Sequence, residues 1–196
     1  MILVVATRNP GKLAELRALL AAPGLELRSA DAFPDIPDVV EDGATFRENA
    51  AKKARAFARG TGHWALADDS GLEVDALGGA PGVWSARYAG EPSDPAANNR
   101  KLLAALAGRT DRAARFRCVI ALADPGGGVR TVEGCCEGRI AEAPAGRGGF
   151  GYDPLFIPAG HARTFAQMPP EQKHAISHRG RALVAARQAW ASLLAR

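Results

Sequence analysis

Cysteine is scarce in this chain: three among 196 residues, Cys118 and the adjacent pair Cys135-Cys136. That count excludes an even disulfide framework, and the spacing matches no metal-binding pattern, so cysteine usage points to a reducing compartment. The opening apolar stretch Met1-Ile2-Leu3-Val4-Val5-Ala6 lacks a basic leader and falls far short of the ~20 residues that span a bilayer. Neither charge sign dominates, with 25 Lys and Arg against 21 Asp and Glu for a net charge of +4. No long Lys/Arg block and no basic stripe interleaved with aromatics is present, which argues against a nucleic-acid surface while permitting an anionic small ligand. Internal repeats and low-complexity tracts are absent too. What is present is ordinary globular composition, 47% hydrophobic and 23% charged, enough for one sizeable core. A cytoplasmic protein with no membrane or nucleic-acid partner is expected.

The stretch Ala65-Leu66-Ala67-Asp68-Asp69-Ser70-Gly71-Leu72 sets the chemistry. An apolar run with the character of a buried strand stops at two adjacent carboxylates, which give way to Ser and Gly. Two readings stay open: a turn closing the strand, or acidic groups delivered to a sheet edge, where Mg2+ is a suitable counter-ion because it takes hard oxygen ligands and arrives with substrate phosphates.

The rest of the chain supplies further parts. Ile2 to Ala6 has the pattern of a central strand and leads into Thr7-Arg8-Asn9-Pro10-Gly11-Lys12. Asn9 suits an N-cap and Pro10 a first helical position, with Leu13, Leu16 and Leu20 as the apolar stripe that follows. The open backbone N–H groups there favour an anion; Lys12 is either part of that site or an exposed lysine. Leu25 to Ser29 reads as a second strand, and Asp31 to Asp42 as a Pro- and Asp-rich connection. Thr45-Phe46-Arg47-Glu48 matches a capping box opening a helix to about Arg59. Lys53 falls in the stripe of Phe46, Ala50 and Phe57, so it either snorkels along the core edge or points into a polar cleft. Glu41 lies just ahead of that helix, where an acid favours the dipole. Gly78 to Tyr88 reads as a loop of special backbone geometry, Asp94 to Ala107 as a helix carrying Leu102, Leu103 and Leu106. Phe116 to Ala123 and Val129 to Ile140 read as an antiparallel pair joined through Asp124-Pro125-Gly126-Gly127-Gly128.

Gly146-Arg147-Gly148-Gly149-Phe150-Gly151 fits G-x-G-x-x-G, but a dinucleotide fingerprint must follow a strand and open a helix. Here Tyr152-Asp153-Pro154 and the apolar run Leu155-Phe156-Ile157 follow, so no helix starts on schedule. No Gly-Lys-Ser/Thr follows either, which removes the P-loop reading. A loop offering an aromatic ring and a carboxylate remains. Met168 to Lys173 reads as a short helical turn with Pro170 near its start. Ser177-His178-Arg179-Gly180 then opens a closing helix with Leu183, Trp190 and Leu194 toward the core. His178 and Arg179 are either a surface helix start or a pair of donors for carbonyl and phosphate oxygens.

Taken together, Thr7-Arg8-Asn9-Pro10-Gly11-Lys12, Thr45-Phe46-x-Glu48-Asn49-Ala50, Asp68-Asp69-Ser70-Gly71-Leu72, Gly78-Gly79-Ala80-Pro81-Gly82, Gly149-Phe150-Gly151-Tyr152-Asp153-Pro154 and Ser177-His178-Arg179-Gly180 closely resemble the inosine/xanthosine triphosphate pyrophosphatase family. The motifs run in the family's order over nearly the whole chain. The resemblance implies a single NTP pyrophosphatase domain over residues 1–196, α/β with a mixed elongated sheet and two lobes flanking a central substrate cleft, and a homodimer. It implies Mg2+-dependent hydrolysis of ITP, dITP and XTP to the monophosphate and pyrophosphate. On this resemblance Thr7, Arg8, Asn9, Pro10, Gly11 and Lys12 bind phosphate. Glu41 and Asp69 hold the metal, with Asp69 also the proton acceptor. Ser70, Phe150, Gly151, Tyr152, Asp153, Lys173, His178 and Arg179 contact the rest of the substrate. Lys53 is added from its place in the helical stripe. Arg8 departs from the family, which often has Gly at that place. Competing readings are a nucleotide pyrophosphatase of other base specificity and a non-catalytic nucleotide-binding protein.

Overall fold

The computed structural model describes residues 2–20 and 24–194, with the side chains of Leu19, Ser192 and Leu194 also outside the description; the expected inward-facing Leu194 side chain therefore lies outside the described residues. The fold is mixed α/β. Among the described residues, six strands form one sheet: β1 (Ile2–Val5), β2 (Glu26–Ser29), β3 (Trp64–Val74), β4 (Ala113–Ala123), β5 (Val129–Ile140) and β6 (Phe156–Pro158), in the order β2-β1-β3-β4-β5-β6. β1 is central among the first three and runs parallel to both neighbours, Val4 facing Arg28 on one side and Ala65 on the other. Its buried Leu3, Val4 and Val5 follow from that, because a strand covered on both faces reads as a continuous apolar run. β4 and β5 form the expected hairpin, closed by hydrogen bonds between Asp124 and Gly128, and β5 pairs antiparallel with β6.

The described residues also form the α-helices α1 (Pro10–Leu20), α2 (Phe46–Thr61), α3 (Pro95–Ala105), α4 (Pro170–Ile176) and α5 (His178–Leu194). Their starts follow local chemistry. The Asn9 side chain accepts from the Lys12 N–H at 3.0 Å and so caps α1. Thr45 accepts from the Glu48 N–H and caps α2, but the Glu48 carboxylate reaches one residue further out than a capping box requires and accepts from the Ala44 N–H at 2.7 Å. Asp94 caps α3 just ahead of Pro95. α2 ends on Gly62 in the left-handed conformation, a place that costs glycine little. The Gly78–Tyr88 region contains a short 3-10 helix, Gly82–Arg87, and a second, Asp75–Leu77, immediately precedes the region.

The chain forms two compact units. The first comprises residues 1–69, 118–134 and 180–196, and the second residues 70–117 and 135–179. The core of the first contains Leu3, Val5, Leu16, Leu66, Ile120 and Trp190. The core of the second is more aromatic, with Phe116, Phe156 and Phe165 in mutual ring contact beside Leu72, Leu102 and Leu155. Among the described residues, no helix is long and apolar enough to cross a membrane.

β3 corrects the sequence reading. The strand does not end at Asp68-Asp69, and no turn follows; it continues through Ser70 and Gly71 to Val74. Both carboxylates therefore sit in mid-strand, 1% and 5% exposed. Turn propensity is overridden because cations brought in by other elements meet the buried charges.

Candidate active site

The two-residue period of a strand sends the Asp68 and Asp69 side chains to opposite faces, and each face carries its own partner. On one, the Asp68 carboxylate meets the Lys12 ammonium at 3.3 Å. Lys12 belongs to the first turn of α1, directly after the β1 turn, so parallel pairing of β1 with β3 sets the two groups side by side. Lys12 is thus not an exposed lysine, its side chain being only 15% exposed. On the other face, the Lys53 ammonium lies 3.1 Å from Glu41 and 3.9 Å from Asp69. α2 presents Lys53 from its buried stripe, and a side chain 11% exposed between two carboxylates is not snorkelling to water. Asn49, one helical turn earlier, donates to the second Asp69 oxygen at 3.1 Å.

Burial pushes the Asp69 carboxyl up to about 6, against the pull of the Lys53 and Lys12 ammoniums; the Glu41 charge adds to the rise and the Asn49 hydrogen bond opposes it. Desolvation outweighs two cations here, so Asp69 is a carboxylate held ionised at neutral pH at a cost. Glu41 and Asp69 are the oxygen donors that converge, on a shared ammonium. Among the described residues, no group of three or more His, Cys, Asp or Glu side chains is arranged to hold a metal.

The remaining residues of the phosphate motif organise the β1–α1 turn. Thr7 accepts from the Asn9 N–H and Asn9 caps the helix. The Arg8 guanidinium bonds to Asp38 and to the Ile36 carbonyl, and so fastens the acidic connection that leads to Glu41. Pro10 and Gly11 form the first residues of α1.

In the second unit Phe150 is the focus. Its ring has the Lys173 ammonium 5.0 Å from the centroid and the Arg179 guanidinium 5.7 Å away, so cations are drawn to its electron-rich π system. The loop is held by Asp153, whose carboxylate accepts from the Phe150 N–H at 2.8 Å and pairs with Lys173 at 2.6 Å. A Cβ at Gly149 would fall 2.0 Å from that same oxygen, which explains the glycine there. Gly151, also at positive φ, passes its carbonyl to the Asn99 amide at 3.1 Å. Arg179, 1% exposed, donates to the Ser70 hydroxyl at 2.9 Å, and the His178 ring stacks on Phe116 at 4.6 Å. Neither is a surface feature of a helix start. Tyr152 is buried, its hydroxyl donating to the Ser85 carbonyl at 2.9 Å; burial raises its pKa further above the ordinary tyrosine value.

Asp153 and Lys173 have side chains 4% and 6% exposed, so removing one partner strands the other. Lys173→Met is expected to destabilise the protein by about 3–5 kcal/mol, read from denaturant midpoints. The double variant Lys173→Met/Asp153→Asn is expected to recover part of the loss. A single variant as stable as wild type would remove this pair from the loop's support.

Sequence reasoning missed three polar residues that hold this machinery. Asn49 and Asn99 are described above. Asn98 joins the Ser85 and Ala86 carbonyls to the Ala89 N–H. Asn49 had a legible signal, since a polar residue three places after Phe46 and four before Lys53 shares their face.

Ammonium and carboxylate groups thus cluster in one unit of this mixed α/β chain, and cations range about an aromatic ring in the other. Comparison with known proteins identifies the class. Residues 3–189 match the model of the Ham1 family. A dITP/XTP pyrophosphatase of Desulforamulus reducens is 57% identical over 185 residues, covering 93% of this chain and 92% of that protein. One from Geobacillus kaustophilus is 50% identical, covering 98% and 95%. The solved structure of a HAM1 protein from Coxiella burnetii superposes with a TM-score of 0.89 at 44% identity, covering 98% of this chain and 99% of that one. The chain belongs to the Ham1 family.

Proposed function

We propose that this protein hydrolyses non-standard purine nucleoside triphosphates, ITP, dITP and XTP, to the monophosphate and pyrophosphate in a Mg2+-dependent reaction. The observation that carries the proposal is the Glu41–Lys53–Asp69 cluster, with Lys53 and Asp69 buried and Glu41 half-buried, in a Ham1 chain whose relatives bear the name dITP/XTP pyrophosphatase. Glu41 and Asp69 would hold Mg2+: two carboxylates suffice for an ion that keeps waters and substrate oxygens as its other ligands. Bound there, the cation would supply neutralisation of phosphate charge. Lys12 and Lys53 offset charge on the departing pyrophosphate. Asp69 orients the attacking water; a carboxylate that also holds the cation is a weak base, because the bound charge favours its ionised form, so its role is positioning.

Recognition of the base falls to the second unit. Phe150 offers a face for stacking, and His178, Arg179 and the N–H groups of the loop offer donors. A 6-oxo purine accepts at the position where adenine presents an amino group, so a donor placed there would be left unpaired by adenine. The reading includes a homodimer and a cytoplasmic location; the three cysteines form no disulfide, in keeping with a reducing compartment.

The test is product analysis with ITP. IMP and pyrophosphate are expected with Mg2+ present, and loss of turnover on chelation. IDP and orthophosphate, or undiminished turnover in chelator, would overturn the reaction or the metal dependence respectively.

A further inference from the structure

Asn49 is 1% exposed and both ends of its amide are engaged on the proposed metal side of the site. Its oxygen accepts from the Gly43 N–H at 2.8 Å, and its nitrogen donates to Asp69 at 3.1 Å. Only the amide orientation with oxygen toward Gly43 satisfies both, because a carboxylate accepts and an N–H donates. An aspartate at this place would oppose Asp69 with a second acceptor, and an alanine would leave the Gly43 N–H and the Asp69 oxygen without this link.

The link joins two separate pieces of chain. Gly43 lies two residues after Glu41, and the next N–H, of Ala44, is held by Glu48. The segment that delivers Glu41 is thus moored to the first turn of α2 through successive backbone N–H groups, and Asn49 extends the mooring to Asp69 in β3. The fit is close: a Cβ at Gly43 would meet the Asn49 oxygen at 2.7 Å and the Glu48 Cβ at 2.8 Å.

We infer that Asn49 is a positioning residue that sets the spacing and orientation of the Glu41 and Asp69 carboxylates as a cation-binding pair. The inference rests on the proposed function for its catalytic consequence, but not for its structural content. Groups that orient metal ligands from outside the ligand set typically contribute about 10–100-fold in metal affinity or activity.

The experiment measures Mn2+ binding to the full-length protein by electron paramagnetic resonance, together with kcat and KM for ITP and thermal stability, in Asn49→Ala, Asn49→Asp and Gly43→Ala. The Gly43 variant keeps the amide but displaces it, and its backbone φ is one that alanine tolerates, so it guards against a loss of folding at position 49. Weaker Mn2+ binding by about 10–100-fold is expected for all three, with kcat falling more than KM rises. Wild-type Mn2+ affinity in folded variants, with only the melting temperature lowered, would overturn the inference. If wild type fails to turn over ITP while the variants still lose Mn2+ affinity, the positioning role stands and the substrate reading falls.

Discussion

Asp69→Asn is expected to lower kcat for ITP by about 100-fold or more, the loss typical of removing a preorganised electrostatic group, while KM changes little. Asparagine keeps the shape but neither carries the charge nor accepts a proton. The same substitution is expected to stabilise the fold in chelator. An acid whose pKa is raised from 3.8 to about 6 on folding keeps its proton longer in the native state. Between those values the unfolded chain binds fewer protons than the native one, so native stability falls as pH rises through that window and stays lowered above it. Asparagine has no such dependence. The melting-temperature gain of Asp69→Asn over wild type should therefore be smallest near pH 4, grow toward pH 6 and then level off. Near-normal turnover would remove Asp69 from the chemistry, and a gain that shrank with rising pH would contradict its buried charge. Opposite signs for activity and stability are what a site held against its own folding preference produces.

Arg179 carries the second large effect. Its guanidinium is buried, bonded to the Ser70 hydroxyl and close to the Phe150 ring. Arg179→Met is expected to reduce kcat/KM for ITP by about 100-fold or more while changing that for ATP far less, so that discrimination between the bases collapses. Polar sites that recognise a substrate group reject an analogue lacking it by up to about 10^4–10^5. Arg179→Lys keeps the charge but not the planar fork, and is expected to behave nearer to Met than to wild type. Equal losses on ITP and ATP would assign Arg179 to phosphate binding or to fold support.

Local chemistry made much of this legible in sequence. Asn9 with Pro10, Thr45 with its helix, and Asp94 with Pro95 each mark a helix start by the cap chemistry the structure contains. The hairpin at Asp124 to Gly128 was equally plain from its glycines. The course of β3 was not legible, because Asp-Asp-Ser-Gly has turn propensity and the ammoniums that override it arrive from α1 and α2. The separation of the two aspartates follows from the same fact: once both lie in a strand, alternation assigns them to different faces and different lysines. Tyr152 shows the other limit. Its hydroxyl is taken by the Ser85 carbonyl, a partner far off in sequence and invisible to any local pattern. Arg8 is similar, its guanidinium being engaged by Asp38 and the Ile36 carbonyl. Glu41, Lys53 and Asp69 could be named singly from sequence; that one ammonium holds both acids needed the fold.

The most direct test of selective hydrolysis of non-standard purines is pyrophosphate release under one set of conditions from ITP, XTP, dITP, ATP, GTP and dTTP with Mg2+. The expected result is rapid turnover of the first three and kcat/KM lower by about 10^4 for ATP, whose amino group leaves the site's donor unpaired. Comparable turnover of ATP and ITP would contradict the account.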